Sequence, residues 1–185
     1  MNANALAVAI SLLAAAAAVA AFLVAHRRAP ARPLPAGTRR ILVPFTGTEL
    51  DPRVLAAAIR VSRAENATLV PAYLVIVPLR LAEDAPMQSD VHVALPLLEA
   101  VEHAALRAGI PVDARIEKGR TPTHALRRIW EVERFDRIIA PAPTDHSGGF
   151  TPKDLAWILT HAPVETLVLR PSPDDVATVL ASDGA

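Results

Sequence analysis

The sequence predicts an α/β fold: a five-stranded parallel sheet sandwiched by about four helices, preceded by one N-terminal transmembrane helix. Three observations predict it. Short apolar runs alternate with stretches of helical spacing, the connections are too long for hairpins, and residues 1–25 carry no charged side chain. Of the 185 residues, about 130 remain for one domain with a single core once both ends are set aside.

The apolar N-terminal segment predicts a membrane anchor. Residues 1–25, at about 1.5 Å per residue, are long enough to cross a hydrocarbon core of about 30 Å. Residues 26–38 form a basic, proline-rich linker, whereas no Lys or Arg precedes the segment. This charge distribution predicts a single-pass protein of the cell membrane with its N-terminus outside and its domain in the cytoplasm. The alternative is a cleaved signal peptide, although such peptides carry their positive charge before the apolar region.

The α/β domain is predicted over residues 39–171, and strand and helix alternate twice in its first half. Pro71 suggests a bulge or an early break in the second strand, and Pro96 a kink in the second helix. The predicted elements are a strand at 40–45 (RILVPF), a helix from Asp51 and Pro52 to Asn66, a strand at 67–77, and, after a polar loop from Pro78 to about Asp90, a helix from Val91 to Gly109.

The second half continues the alternation and ends in a tail. Thr151 and Asp154 have the spacing of a capping box. Ligands of such sheets bind at the carboxyl ends of the strands, which draws attention to the loops after the first and fourth strands. The predicted elements are a strand within 111–119, a helix from Thr121 and Pro122 to Phe135, a strand at 136–143, a helix at 151–162, a strand at 164–171, and a disordered acidic tail at 172–185.

Composition and spacing argue against several functions. The formal net charge is zero, which gives no reason to expect a nucleic-acid partner, and the absence of cysteine excludes disulfides and a thiol nucleophile. Asp145, His146 and Ser147 are consecutive, so their side chains diverge and do not form a triad. The histidines lack a zinc-binding pattern, so we expect no metal site and no enzyme. Trp130 and Trp157 fall on apolar helix faces and are predicted to lie in the core.

Four short stretches resemble the universal stress protein family. They are RILVPFTGTELDP (40–52), EKGRTPTHAL (117–126), DRIIAPAP (136–143) and THAPVETLVLRP (160–171). The resemblance covers the whole of residues 39–171 and implies a Rossmann-like sheet. In one branch of that family ATP is bound through an aspartate in the first loop and a glycine pattern after the fourth strand, and another branch lacks this pattern.

The sequence departs from the ATP-binding pattern of that family. Thr46 stands where the aspartate would be, although Gly47 and Thr48 keep the glycine and the hydroxyl. Ala140, Pro143 and Lys153 occupy positions where the pattern has glycine. Phosphate needs close access to backbone N–H groups, and a Cβ atom or a proline ring prevents it. We therefore expect no cofactor, with ATP disfavoured.

A glycine pair remains in the loop after the fourth strand. Gly148 and Gly149 precede Thr151, the predicted helix cap, and could form an anion site, or they could simply provide a flexible turn next to the repelling charges of Asp145 and Asp154. The candidate nucleotide- or anion-binding residues are Thr46, Gly47, Thr48, Gly148, Gly149 and Thr151.

The predicted function follows from the anchor. A single span offers no transport path, so we expect a non-enzymatic accessory or regulatory subunit of a membrane complex, such as a transporter or a respiratory assembly. The alternative is a nucleotide-binding stress sensor that uses the loops after the first and fourth strands. The expected partners are the lipid bilayer and other membrane subunits, and the family resemblance adds a homodimer through the last strand, VETLVLR.

Overall fold

A computed structural model describes residues 39–48, 50–142 and 149–170. The sheet is five-stranded and parallel, as the sequence predicts, and its strand order is β3-β2-β1-β4-β5. The strands are β1 (Arg40–Phe45), β2 (Thr68–Ile76), β3 (Arg115–Gly119), β4 (Arg137–Pro141) and β5 (Glu165–Leu169). The described residues form four helices, α1 (Pro52–Ala64), α2 (Gln88–Arg107), α3 (Pro122–Val132) and α4 (Pro152–His161).

The central strands are buried because helices cover both faces of the sheet. Side chains alternate along β1: Leu42 faces one core cluster with Leu126 of α3 and Ile158 of α4, whereas Val43 faces another with Val54 of α1. These residues are at most 1% exposed. The period of two along a strand therefore assigns one apolar set to each helical layer.

The sequence prediction of a bulge or break at Pro71 is wrong. Pro71 pairs with Val43 in an unbroken register along β2. On β2, the N–H and C=O of Leu69 bond to the chain ahead of β3, and residues two apart face the same neighbour. The missing N–H of Pro71 therefore faces the side where β3 begins only at Arg115, which pairs with Ala72. The β2–β3 pairing is interrupted at this point: Leu69 and Val112 form an isolated bridge, and the ladder resumes at Ala72. Pro71 therefore leaves one hydrogen bond missing towards β3, while its pairing with β1 continues unbroken.

Helix starts follow local capping, as predicted for three of the four helices. Asp51 accepts a hydrogen bond from the Arg53 N–H at 2.7 Å, and Thr121 accepts one from the His124 N–H at 3.1 Å; each precedes a proline at the first helical position. Thr151 makes the predicted capping box with Asp154. The helix α3 ends at Val132, earlier than predicted, because Glu133 is already extended.

The helix α2 differs from its prediction at its start. It begins at Gln88 instead of Val91, after Met87, whose side chain makes no capping bond. The Val91 N–H closes the first turn on the Met87 carbonyl at 3.0 Å. The helix continues through Pro96 to Arg107, two residues before Gly109, at which the sequence predicts its end. Gly109 has φ of +72°, which suits a residue without Cβ just after a helix.

The two tryptophans pack at the border of the core. Trp130 of α3 and Trp157 of α4 are half-buried, with parallel rings whose centroids lie 5.4 Å apart. Both pack against the cluster between the sheet and these helices. His161 stacks on Trp157 at 4.9 Å. The sequence assigned the tryptophans to the core, and they join it by one side only.

An ion-pair network ties together the amino ends of the strands. The Arg40 guanidinium lies 2.8 Å from Asp113 and 2.8 Å from Glu133, and Arg115 lies 2.8 Å and 3.1 Å from the same two carboxylates. The four side chains are 18–24% exposed. The network joins β1, the segment before β3 and the end of α3, and Arg40 also lies over the Phe135 ring.

Three predicted segments fall outside the described residues: the span at 1–25, the linker at 26–38 and the tail at 172–185. Within residues 39–48, 50–142 and 149–170, no helix has the length and the apolar character needed to cross a membrane.

Candidate functional site

The strand order creates a switch point between β1 and β4. From β1 the chain moves to β2 on one side, and from β4 it moves to β5 on the other. In parallel sheets this divergence opens a crevice outside the carboxyl ends of the two strands. The loops after β1 and β4 border it, which are the two loops selected from the sequence.

The loop after β1 holds the first three candidate residues. Thr46 and Gly47 are partly buried, and Thr48 is exposed. Gly47 has φ of +92°, a conformation that residues with a Cβ adopt rarely. A glycine is therefore required here by the path of the chain as it leaves the sheet.

Tyr73 supports this loop, and the sequence analysis missed it. Its hydroxyl donates a hydrogen bond to the Gly47 carbonyl at 3.0 Å, and its ring meets Phe45 edge-on at 5.5 Å. The residue is 4% exposed. Burial, and then the nearby charge of Asp90, raises the pKa of the Tyr73 hydroxyl above 10.0. The only available signal was a lone tyrosine within an apolar strand, because its partner depends on the β1–β2 register.

The segment before α4 holds the other described candidates, and Gly148 lies outside the described residues. Gly149 is partly buried, and Phe150, 3% exposed, anchors the segment in the core. The Thr151 N–H donates to the Asp154 carboxylate at 3.0 Å, and the Asp154 N–H donates to the Thr151 hydroxyl at 3.2 Å. A carboxylate of this chain thus already lies at the N-terminus of α4.

Three residues stand where the ATP-binding pattern of the universal stress proteins has glycine, and the structure describes two of them. Ala140 lies inside β4, is fully buried and pairs with Val168. Lys153 is exposed in the first turn of α4, and Pro143 lies outside the described residues. Because Pro152 has no N–H, the first turn of α4 offers one donor fewer than an ordinary helix start.

A cationic side chain at the end of β3 holds the neighbouring loop, and the sequence analysis missed it as well. The Arg120 guanidinium donates to the carbonyls of Val77, Pro78 and Leu81 at 3.3, 2.6 and 2.9 Å. Lys118 donates to the carbonyl of Ala85 at 2.6 Å. These bonds anchor the β2–α2 connection at the carboxyl edge of the sheet.

Two other kinds of site, a catalytic triad and a metal site, were considered from the sequence. Asp145, His146 and Ser147 lie outside the described residues. Among the described side chains, no group of three or more His, Asp or Glu could hold a metal ion. A cavity of about 90 Å³ between β3 and α3 is far below the roughly 300 Å³ of small-molecule pockets, and the charged side chains that line it include the paired Arg115 and Glu133.

Several solved structures have a fold similar to that of the described domain. A universal stress protein from Burkholderia pseudomallei is 18% identical, with 74% of this chain and 98% of that chain covered and a TM-score of 0.55. A universal stress protein in complex with cAMP is 17% identical, with 74% and 100% covered and a TM-score of 0.56. An Arabidopsis thaliana universal stress protein with AMP bound is 14% identical, with 74% and 94% covered and a TM-score of 0.53.

No family model matches the sequence, and no curated protein is similar to it at a significant level. The structural similarities establish that the described domain has the fold of the universal stress proteins.

Proposed function

We propose that the domain binds an adenine mononucleotide in the crevice between the carboxyl ends of β1 and β4. The observation that carries the proposal is the turn at Gly47, which lies at the switch point and has φ of +92°. Because glycine has no Cβ, the backbone of this turn can approach a ligand closely. Two structures of the same fold, with AMP bound and in complex with cAMP, support this ligand class. This is the reading that the sequence analysis placed second.

The charge at the start of α4 selects among nucleotides. Asp154 is part of the capping box of α4, in which its carboxylate accepts hydrogen bonds from the Thr151 N–H and hydroxyl. A polyphosphate directed at this helix start would meet that carboxylate, and like charges repel. We therefore expect AMP and cAMP to bind more tightly than ADP, and ADP more tightly than ATP.

Calorimetric titration of the full-length chain in mild detergent tests the proposal. We expect measurable binding of AMP or cAMP, and a loss of about tenfold or more in Gly47→Ala, because a Cβ strains this turn. Gly109→Ala is the matched control, since Gly109 also has positive φ but lies at the end of α2, at the amino edge of the sheet. Absence of binding of every adenine nucleotide at millimolar concentration would refute the proposal.

A second variant tests the charge argument separately. Asp154→Asn keeps an acceptor for the capping box and removes the negative charge. We expect the ratio of the affinity for AMP to the affinity for ATP to fall by about three- to tenfold, with the affinity for AMP unchanged. If the ratio of the two affinities stays unchanged, Asp154 does not select the ligand, whether or not nucleotides bind.

The membrane reading remains the second candidate, and the uncharged segment at 1–25 followed by arginines favours it. In this proposal the chain is a single-pass, non-enzymatic accessory subunit at the cytoplasmic face of the cell membrane. Extraction from native membranes in mild detergent should recover a membrane partner in constant ratio. Recovery of the chain in the soluble fraction, or without a partner, would contradict it.

A homodimer through β5 is the remaining proposal on partners. β5 is an edge strand, and its apolar side chains, Leu167, Val168 and Leu169, are only partly buried. An edge with free pairing capacity and apolar side chains favours a second copy. Light scattering should give twice the chain mass, and Val168→Lys should return it to the monomer. A monomeric wild type would exclude the dimer.

A further inference from the structure

Tyr73 is a described side chain outside the candidate set that contacts the loop after β1, at the switch point. It lies on β2, opposite Phe45, the last residue of β1. Its ring is 4% exposed and rests edge-on against Phe45, with the two ring planes at 83°. The ring therefore has one position, and so has its hydroxyl.

The hydroxyl acts on the backbone at the point where the loop turns. It donates to the Gly47 carbonyl at 3.0 Å, and Gly47 is the residue with φ of +92°. Glycine has more conformational freedom than any other residue, so an external contact restricts this turn more than it would restrict a residue with a Cβ. The Tyr73 hydroxyl supplies that contact from the neighbouring strand.

Holding the carbonyl also sets the next donor. The peptide unit is planar and trans, so the Gly47 C=O and the Thr48 N–H point in opposite directions. With the carbonyl directed at Tyr73, the Thr48 N–H is directed away from Tyr73. A backbone N–H of fixed direction beside a positive-φ glycine is the kind of donor that recognises a phosphate oxygen.

We propose that Tyr73 is a positioning residue for the nucleotide site: by holding the Gly47 carbonyl, its hydroxyl presets the β1–α1 loop to bind the phosphate of a mononucleotide. The inference rests on the proposed function and adds a residue that touches no ligand. Tyr73→Phe keeps the ring and its packing. We expect it to lower the affinity for AMP about five- to tenfold, which is the effect of one neutral hydrogen bond.

Two measurements on the full-length chain test the proposal. The first is amide hydrogen exchange of the β1–α1 loop without nucleotide, which we expect to be faster in Tyr73→Phe because the loop is no longer held. The second is the calorimetric affinity for AMP. Thr160→Val is the matched control, since it removes a hydroxyl-to-carbonyl bond of 2.7 Å near the end of α4, far from the crevice, and should change neither readout.

The outcomes separate this inference from the proposed function. Faster loop exchange together with weaker AMP binding supports it. Unchanged loop exchange overturns it, and so does faster exchange with unchanged AMP affinity, while the proposed function stands in both cases. If the wild type binds no adenine nucleotide, the proposed function fails and the positioning role fails with it, even where loop exchange responds to the substitution.

Discussion

A strand and a helix pack tightly at Gly119, and this packing makes a quantitative prediction. Gly119 ends β3, just before the chain turns into α3. A Cβ placed on it would lie 2.5 Å from the backbone N of Ala125 and 2.9 Å from its Cα. These two atoms belong to the backbone of α3, which cannot rotate away as a flexible side chain would. Ala125 is also fully buried, so the helix cannot shift without disturbing the core.

The expected cost of Gly119→Ala follows from these distances. Ordinary Cβ contacts begin at 3.4 Å, so strand and helix must separate by about 0.9 Å, and the core below Ala125 must follow. Overpacking of this kind costs about 3 kcal/mol of the free energy of unfolding. Gly109→Ala differs in kind, because φ is +72° and no atom lies within 4 Å of the added Cβ. It should cost about 1 kcal/mol, from backbone strain alone.

Urea unfolding of the full-length chain in mild detergent measures both values. The sequence has two tryptophans, Trp130 and Trp157, and both lie in the domain, so fluorescence follows its unfolding. The two variants should differ by about 2 kcal/mol at equal dependence on urea. A loss below about 1 kcal/mol in Gly119→Ala would refute the steric reasoning, because strand and helix would then separate easily.

Three further predictions concern single side chains. The sequence has one tyrosine, so ultraviolet absorbance should show Tyr73 ionising above pH 10 in the folded protein; because folding raises its pKa, its contribution to stability is intact below pH 10 and lost as pH rises through the folded pKa. A folded-state midpoint at or below the unfolded one would contradict this. Glu133→Gln should lower stability by about 1–2 kcal/mol in urea, since Arg40 and Arg115 lose a shared carboxylate; an unchanged midpoint would show that the network contributes nothing. Thr151→Ala should cost about 1 kcal/mol by the same measurement, and no loss would mean that the cap is replaced by water.

The features predicted correctly from sequence are those coded within a few residues. The helix starts at Asp51, Thr121 and Thr151 are capping contacts between residues two or three apart, so each is visible in a short window. The start of α2 was misplaced because Met87 is no capping residue and the apolar period becomes regular only at Val91. Where the local signal is absent, the boundary cannot be found.

The site was predictable only as a choice of loops. The alternation of strand and helix led to the loops after β1 and β4, and the observed strand order puts these two at the switch point. The supporting side chains were not predictable. Tyr73 lies 26 residues from Gly47, and Arg120 lies 43 residues from Val77, so each contact requires the register of neighbouring strands.

The sequence by itself determined the elements, their order and the capping box that places the Asp154 carboxylate at the start of α4, because propensity, periodicity and capping act along a few consecutive residues. Only the tertiary structure decided that β1 and β4 are neighbours, that Pro71 fits β2 without a bulge, and that Tyr73 holds the Gly47 turn. The physical reason is that strand pairing joins distant segments, and its register is chosen by burying both faces of the whole sheet together.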